Sequence, residues 1–98
     1  MANSKRKYKS LKITQSAKGE CCSLRVSPSC TDEYGQVVAC HLNSNYRGTG
    51  IKSPDLWIIY SCFFCHQMLD KSEVSAEDQL RALQETQMKL LDKGLITI

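Results

Sequence analysis

The sequence lacks the features that would place it in or across a membrane. Its longest apolar run, residues 56–64, is interrupted by Ser61 and is about half of the roughly 20 residues that a transmembrane helix requires. The first 19 residues contain six Lys/Arg and no apolar core, so no secretory signal peptide is expected. Internal repeats, low-complexity tracts and long linkers are also missing. We therefore expect a single domain without membrane contact, located in the cytoplasm.

Cysteine is the residue type that stands out in this composition. The chain has 98 residues, of which 42% are hydrophobic and 23% charged, which argues against a disordered or fibrous protein. Six of the residues are cysteines. Without an export signal, metal-bound thiolates are favoured over disulfides. A domain this small is marginally stable unless a metal or a cross-link stabilises it.

Acidic residues are missing from the start of the chain. Before Glu20 the charge is +6, and from Glu20 onward seven Lys/Arg face ten Asp/Glu, which gives −3. A basic segment on a mildly acidic body is typical of proteins that meet a polyanion such as DNA, although solvated basic termini are also common. We interpret residues 1–10 as a flexible basic arm and residues 11–98 as the single domain.

The patterning predicts a mixture of short strands and helices. Residues 24–26, ended by Pro28, and residues 36–42, which follow a turn at 32–35, are predicted strands. Residues 43–54 are predicted to be a loop. The apolar run 56–60 fits either a helix or a strand.

Two helices are predicted in the second half of the chain, over residues 62–71 and 76–93. The second has a cap signature in Ser75 and Asp78, and Gly94 follows it as a stop. Four leucines are expected on its core or dimer face: Leu80, Leu83, Leu90 and Leu91. The fold class is therefore α+β.

The spacing Cys62-x-x-Cys65 is typical of zinc sites, because two thiolates at this spacing reach adjacent corners of a tetrahedron. A second pair is available in Cys30 with either Cys22 or Cys21. His66 could replace one thiolate. The alternative is that all six cysteines are free thiols that act as small hydrophobic residues.

Four segments together resemble a known family. They are Lys-Gly-Glu-Cys-Cys at 18–22, Val-Ala-Cys-His at 38–41, Gly-Thr-Gly-Ile-Lys-Ser-Pro-Asp-Leu at 48–56 and Ser-Cys-Phe-Phe-Cys-His at 61–66. The chain resembles the YbcO-like nucleases of lambdoid phages and prophages, which are similar to HNH (ββα-metal) endonucleases. The likeness runs over residues 17–70 and more loosely through the C-terminal helix.

The resemblance implies a zinc-stabilised ββα-metal domain, HNH-like or treble-clef-like, with a C-terminal helix. It selects Cys22 over Cys21 through the spacing to Cys30. Structural Zn2+ is then expected on four thiolates: Cys22, Cys30, Cys62 and Cys65. The strand histidine of the family pattern is His41, which would act as general base. Cys40 stands where HNH sites usually carry Asp or His, and a regular strand would turn it away from His41.

A second cation, Mg2+ or Mn2+, is implied on His66 and Asp70, which share one face if residues 65–70 are helical. Asp70 could equally be a solvated carboxylate. Arg25, Arg47 and Lys52 are candidates for contacts with phosphate or are ordinary surface charges.

The function that this resemblance implies is metal-dependent hydrolysis of DNA phosphodiester bonds during phage DNA recombination or processing, inside a bacterial host cell. The alternative is a non-catalytic zinc module that binds nucleic acid or protein. DNA is the expected partner, and a homo-oligomer is compatible with the leucine face.

Overall fold

The computed structural model describes residues 10–31, 37–42 and 55–98. Its elements in chain order are α1 (Leu11–Gln15), β1 (Val37–His41), a 3-10 turn (Asp55–Trp57), β2 (Ile58–Cys62), α2 (Phe63–Asp70) and α3 (Ala76–Asp92). This confirms the α+β class and the C-terminal helix. Within the described ranges, no helix is both long and apolar enough to cross a membrane. The predicted arm up to residue 9, the turn at 32–35 and the loop at 43–54 lie outside the described residues.

The sheet consists of β1 and β2, which pair antiparallel with Val37 opposite Cys62 and His41 opposite Ile58. Every residue of β2 is buried, which explains why this run showed no strand alternation in the sequence. On β1, Cys40 is buried and its neighbour His41 is exposed. Cys40 therefore faces the core, as expected. Burial, with a contribution from the charge of Asp70, raises the pKa of the Cys40 thiol to about 12.

Both predicted helices are present, and capping residues mark their ends. The Cys62 side chain caps α2, and the Ser75 side chain caps α3 by accepting a hydrogen bond from the Asp78 N–H. Gly94 has a φ of 74°, the left-handed conformation that lets the chain leave the last turn of α3.

The buried face of α3 matches the predicted leucine face in part, because Leu90 is buried and Leu83 packs against the core. Ala82, Thr86 and Leu90 are fully buried, whereas Leu80 is 55% exposed. Leu80 is two residues from Ala82, and two residues turn a helix by about 200°, so Leu80 points away from the core. This excludes the core as the place of Leu80 and leaves the dimer face, the other placement predicted for it.

The predicted strand at residues 24–26 is also wrong. Arg25 has a φ of 51°, in the left-handed region, which interrupts an extended backbone. The carbonyls of Ser23 and Leu24 accept hydrogen bonds from the Arg81 guanidinium at 2.8 and 2.6 Å. The Arg81 side chain of α3 thus supplies the hydrogen-bond donors that a neighbouring strand would otherwise provide.

Thr86 joins α3 to the edge of β2. Its hydroxyl accepts a hydrogen bond from the Tyr60 N–H at 3.2 Å and donates to the Ser23 hydroxyl at 3.3 Å. The Tyr60 carbonyl in turn accepts from the Ser23 N–H at 2.8 Å. The segment around Ser23 is therefore fixed against β2.

We expect Thr86→Val to lower the free energy of unfolding by about 1–3 kcal/mol, because it keeps the volume but leaves the buried Tyr60 N–H without an acceptor. The measurement is urea denaturation at saturating zinc. Thr97→Val, at an exposed threonine, is the control and should be near neutral. Equal stability of the two variants would show that the Thr86 hydroxyl contributes nothing.

Candidate metal centre and active site

Four cysteines converge where β2 leads into α2. The sulfurs of Cys22, Cys30, Cys62 and Cys65 all lie within 4.8 Å of one another. Cys62 ends β2, Cys65 is in the first turn of α2, and the other two come from the segment that Arg81 and Thr86 hold in place. Three of the four are fully buried, and Cys30 is half-buried.

The cluster fits a zinc ion. Sulfurs at about 2.3 Å from a tetrahedral zinc are about 3.8 Å apart, which is compatible with the observed separation. Backbone N–H groups donate to three of the sulfurs: Cys62 N–H to Cys22 (3.3 Å), Cys65 N–H to Cys62 (3.5 Å) and Ser27 N–H to Cys65 (3.5 Å). Donors aimed at sulfur stabilise thiolate, the form that binds metal.

The thiols of the cluster differ in the direction of their pKa shifts, since burial raises the pKa of Cys65 while that of Cys62 is lowered. Burial acts to raise the pKa of Cys62, but the backbone N–H groups of Cys65 and Thr31 and the neighbouring thiols outweigh it, so the pKa falls to about 7. Burial and the neighbouring thiols raise the pKa of Cys30 well above its ordinary value. Four thiolates in one small volume therefore require a cation to compensate their charge.

A second site lies at the end of β1. The Nε2 of His41 is 2.6 Å from Oδ1 of Asp55, the first residue of the 3-10 turn. The other oxygen of Asp55, Oδ2, accepts a hydrogen bond from the backbone N–H of Ser10, which caps α1. The Asp55 side chain is 6% exposed and the His41 side chain 37%. The imidazole therefore faces solvent with a buried carboxylate behind it.

The remaining candidates are placed apart from the cysteine cluster. His66 and Asp70 lie one turn apart on α2, with His66 Nε2 3.5 Å from Asp70 Oδ1, and Asp70 is largely exposed. Among the described residues, only the four cysteines form a group of three or more metal-ligating side chains; neither His66 nor His41 joins one.

Of the three phosphate-binding candidates, only Arg25 is described. Its guanidinium donates to both carboxylate oxygens of Glu85, at 2.9 and 2.6 Å, and to the Cys22 carbonyl. The ion pair raises the pKa of Arg25 and lowers that of Glu85. Arg47 and Lys52 lie outside the described residues.

Asp55 is not among the predicted site residues, although it lies in the Ser-Pro-Asp-Leu part of the 48–56 string. The available signal was its position: an acid that directly precedes the long apolar run is placed where the chain enters the core. Its burial is the observation that the sequence pattern did not supply.

The family model described as "Putative nuclease YbcO" matches residues 11–93. The chain belongs to this YbcO family. The resemblance inferred from the cysteine and histidine motifs is thereby confirmed.

One solved structure with a similar fold is titled "Structure of a putative bacteriophage protein from Escherichia coli str. K-12 substr. MG1655". It is 26% identical, with a TM-score of 0.64, and the match covers 84% of this chain and 99% of the other. No curated protein gives a significant match. A member of a nuclease family is expected to act on nucleic acid.

Proposed function

We propose that the chain is a metal-dependent endonuclease of the HNH-like (ββα-metal) type that hydrolyses DNA phosphodiester bonds. The observation that carries the proposal is the solvent-facing imidazole of His41 at the end of β1, with Asp55 buried behind it, in a chain of a nuclease family. The succession of β1, β2 and α2, with paired antiparallel strands leading directly into a helix, supports the ββα-metal type.

In the proposed reaction His41 is the general base. It takes a proton from a water molecule, whose oxygen forms a bond to phosphorus as the bond from phosphorus to one ester oxygen breaks. The leaving oxygen acquires a proton from solvent, which gives a phosphomonoester and a free hydroxyl. A divalent cation, when bound, stabilises the charge that develops on phosphoryl and leaving oxygens.

The two metal roles belong to different parts of the chain. The four clustered thiols are proposed to hold structural Zn2+, because a site closed by four sulfurs leaves no position for substrate. His66 and Asp70 are proposed to hold the catalytic Mg2+ or Mn2+; their spacing on α2 and their exposure support this. Oxygen ligands from DNA and water would complete the coordination of a hard cation.

DNA is the proposed partner, and the +6 charge before Glu20 is the main support. Arg25 would reach a phosphate only by exchanging its ion pair with Glu85, so Arg47 and Lys52 are assigned the larger share of phosphate contacts. The phage protein among the structural relatives supports a role in phage DNA processing inside a bacterial host cell.

A second candidate is a non-catalytic zinc module that binds nucleic acid. It is favoured by one observation: the described residues contain no second group of three metal-ligating side chains besides the cysteines. Such a module would retard DNA in a gel without changing it.

To decide between the endonuclease and the binding module, the zinc-loaded full chain is incubated with supercoiled plasmid, with and without Mg2+ or Mn2+. We expect nicked circles only when the divalent ion is added. Retardation of intact plasmid under every ion condition would contradict the endonuclease and establish the binding module. The same preparation, assayed for zinc before and after incubation, verifies that the fold was intact.

A further inference from the structure

The Asp55 carboxylate is held more firmly than a surface acid. Each of its oxygens has a defined partner: Oδ2 accepts a hydrogen bond from the Ser10 N–H, and Oδ1 lies 2.6 Å from His41 Nε2. The side chain is almost completely buried. Because Ser10 also caps α1, and α1 packs on the 3-10 turn and β1, the carboxylate cannot rotate without disturbing three elements.

We propose that Asp55 is a positioning residue, which fixes the His41 ring as the Nε2–H tautomer and thereby presents Nδ1 as the atom that accepts the proton. A carboxylate oxygen accepts hydrogen bonds, so the ring nitrogen that faces it carries the hydrogen. The neutral ring then has its lone pair on Nδ1, on the side away from Asp55. This inference rests on the proposed function for its catalytic consequence but not for the tautomer.

The arrangement of burial argues for this role over a purely structural one. The hydrogen bond from the Ser10 N–H ties α1 to the carboxylate, and that contact needs only Oδ2. Oδ1 instead faces the His41 side chain, which is 37% exposed and lies at the end of β1. A buried carboxylate behind a solvent-facing imidazole also stabilises the positive ring that forms when a proton is taken up.

The tautomer is tested by 15N NMR of the two imidazoles, because the chemical shifts of the two ring nitrogens distinguish the tautomers. The chain has two histidines, so His66→Gln assigns the His41 signals. We expect wild-type His41 to be the Nε2–H tautomer at alkaline pH and Asp55→Ala to give a mixture of both tautomers. Asp92→Asn, at an exposed acid of α3, is the control and should leave the His41 signals unchanged.

The catalytic consequence is tested by steady-state cleavage. Asp55→Ala should lower kcat about 10- to 100-fold with little change in KM, because it misorients the base without touching bound DNA. Asp55→Asn retains an acceptor oxygen and should recover part of this loss. Zinc content and melting temperature measured on both variants separate positioning from unfolding, and Asp55→Asn is the one expected to stay folded.

The outcomes distinguish the inference from the proposed function. A mixed tautomer in the wild type, or an unchanged one in Asp55→Ala, overturns the inference whatever the cleavage result. An Asp55-dependent tautomer in a protein that cleaves no DNA supports the inference about the ring and overturns the endonuclease. Cleavage with equal kcat in the wild type and a folded Asp55→Ala overturns the positioning role in catalysis.

Discussion

Cys65→Ser is expected to yield a protein without zinc that is largely unfolded. The Cys65 sulfur is fully buried, is one of the four clustered thiols and accepts a hydrogen bond from the Ser27 N–H. Zinc binding in small domains contributes about 10–16 kcal/mol. A whole domain is stable by about 5–15 kcal/mol, so loss of the metal is sufficient to unfold this one. Metal analysis and a circular dichroism melting curve provide the measurement.

Two cysteines outside the cluster serve as controls. Cys21 is exposed, so Cys21→Ser should keep one zinc per chain and change stability by less than about 0.5 kcal/mol. Cys40 is buried but is not part of the cluster, so Cys40→Ser should destabilise the fold while zinc is retained. Retention of stoichiometric zinc by Cys65→Ser, or its loss from Cys21→Ser, would contradict the ligand assignment.

Local sequence signals predicted the parts of this fold that depend on neighbouring residues. The Ser75 cap and the Gly94 stop act within one helical turn, and both are seen at the ends of α3. The Cys62-x-x-Cys65 spacing is local in the same sense, because the helix that contains Cys65 begins at the residue after Cys62. Such signals need no knowledge of distant contacts.

Errors and omissions occurred where a distant residue decides the local structure. Residues 24–26 look like a strand, but their conformation depends on Arg81, more than fifty positions away. The core face of α3 is centred on Thr86, a polar residue that is buried because Tyr60 and Ser23 supply its hydrogen bonds. Hydrophobic periodicity cannot detect a polar residue in the core.

The residues of the candidate site also fall into those that local sequence signals predicted and those that depend on distant contacts. Cysteine spacing and the strand histidine were visible in the sequence, and the family resemblance suggested the roles that are proposed for them. Asp55 was not singled out, because an acid attracts notice only when its burial and its partner are known. Fourteen positions separate it from His41, and the chain between them includes the segment 43–54. A local sequence pattern does not reveal a contact across such a separation.

His41→Ala and His66→Ala are expected to separate the two metal roles. A general base contributes about 10²–10⁴-fold to the rate, so His41→Ala should reduce plasmid nicking by this factor. Its zinc content and DNA affinity should stay near wild type, because the His41 side chain lies on the opposite face of β1 from the buried Cys40 and is not part of the thiol cluster.

His66→Ala removes a proposed ligand of the second cation only. It should keep one zinc per chain and raise the Mg2+ or Mn2+ concentration that gives half-maximal nicking, since His66 lies outside the group of four sulfurs. Gln67→Ala, at the next and more exposed position of α2, is the matched control and should leave that concentration unchanged. Release of zinc from His66→Ala would instead make His66 a structural ligand and leave Asp70 as a solvated carboxylate. Nicking by His41→Ala at the wild-type rate would remove His41 from the chemistry, because no protein that lacks its general base retains full activity.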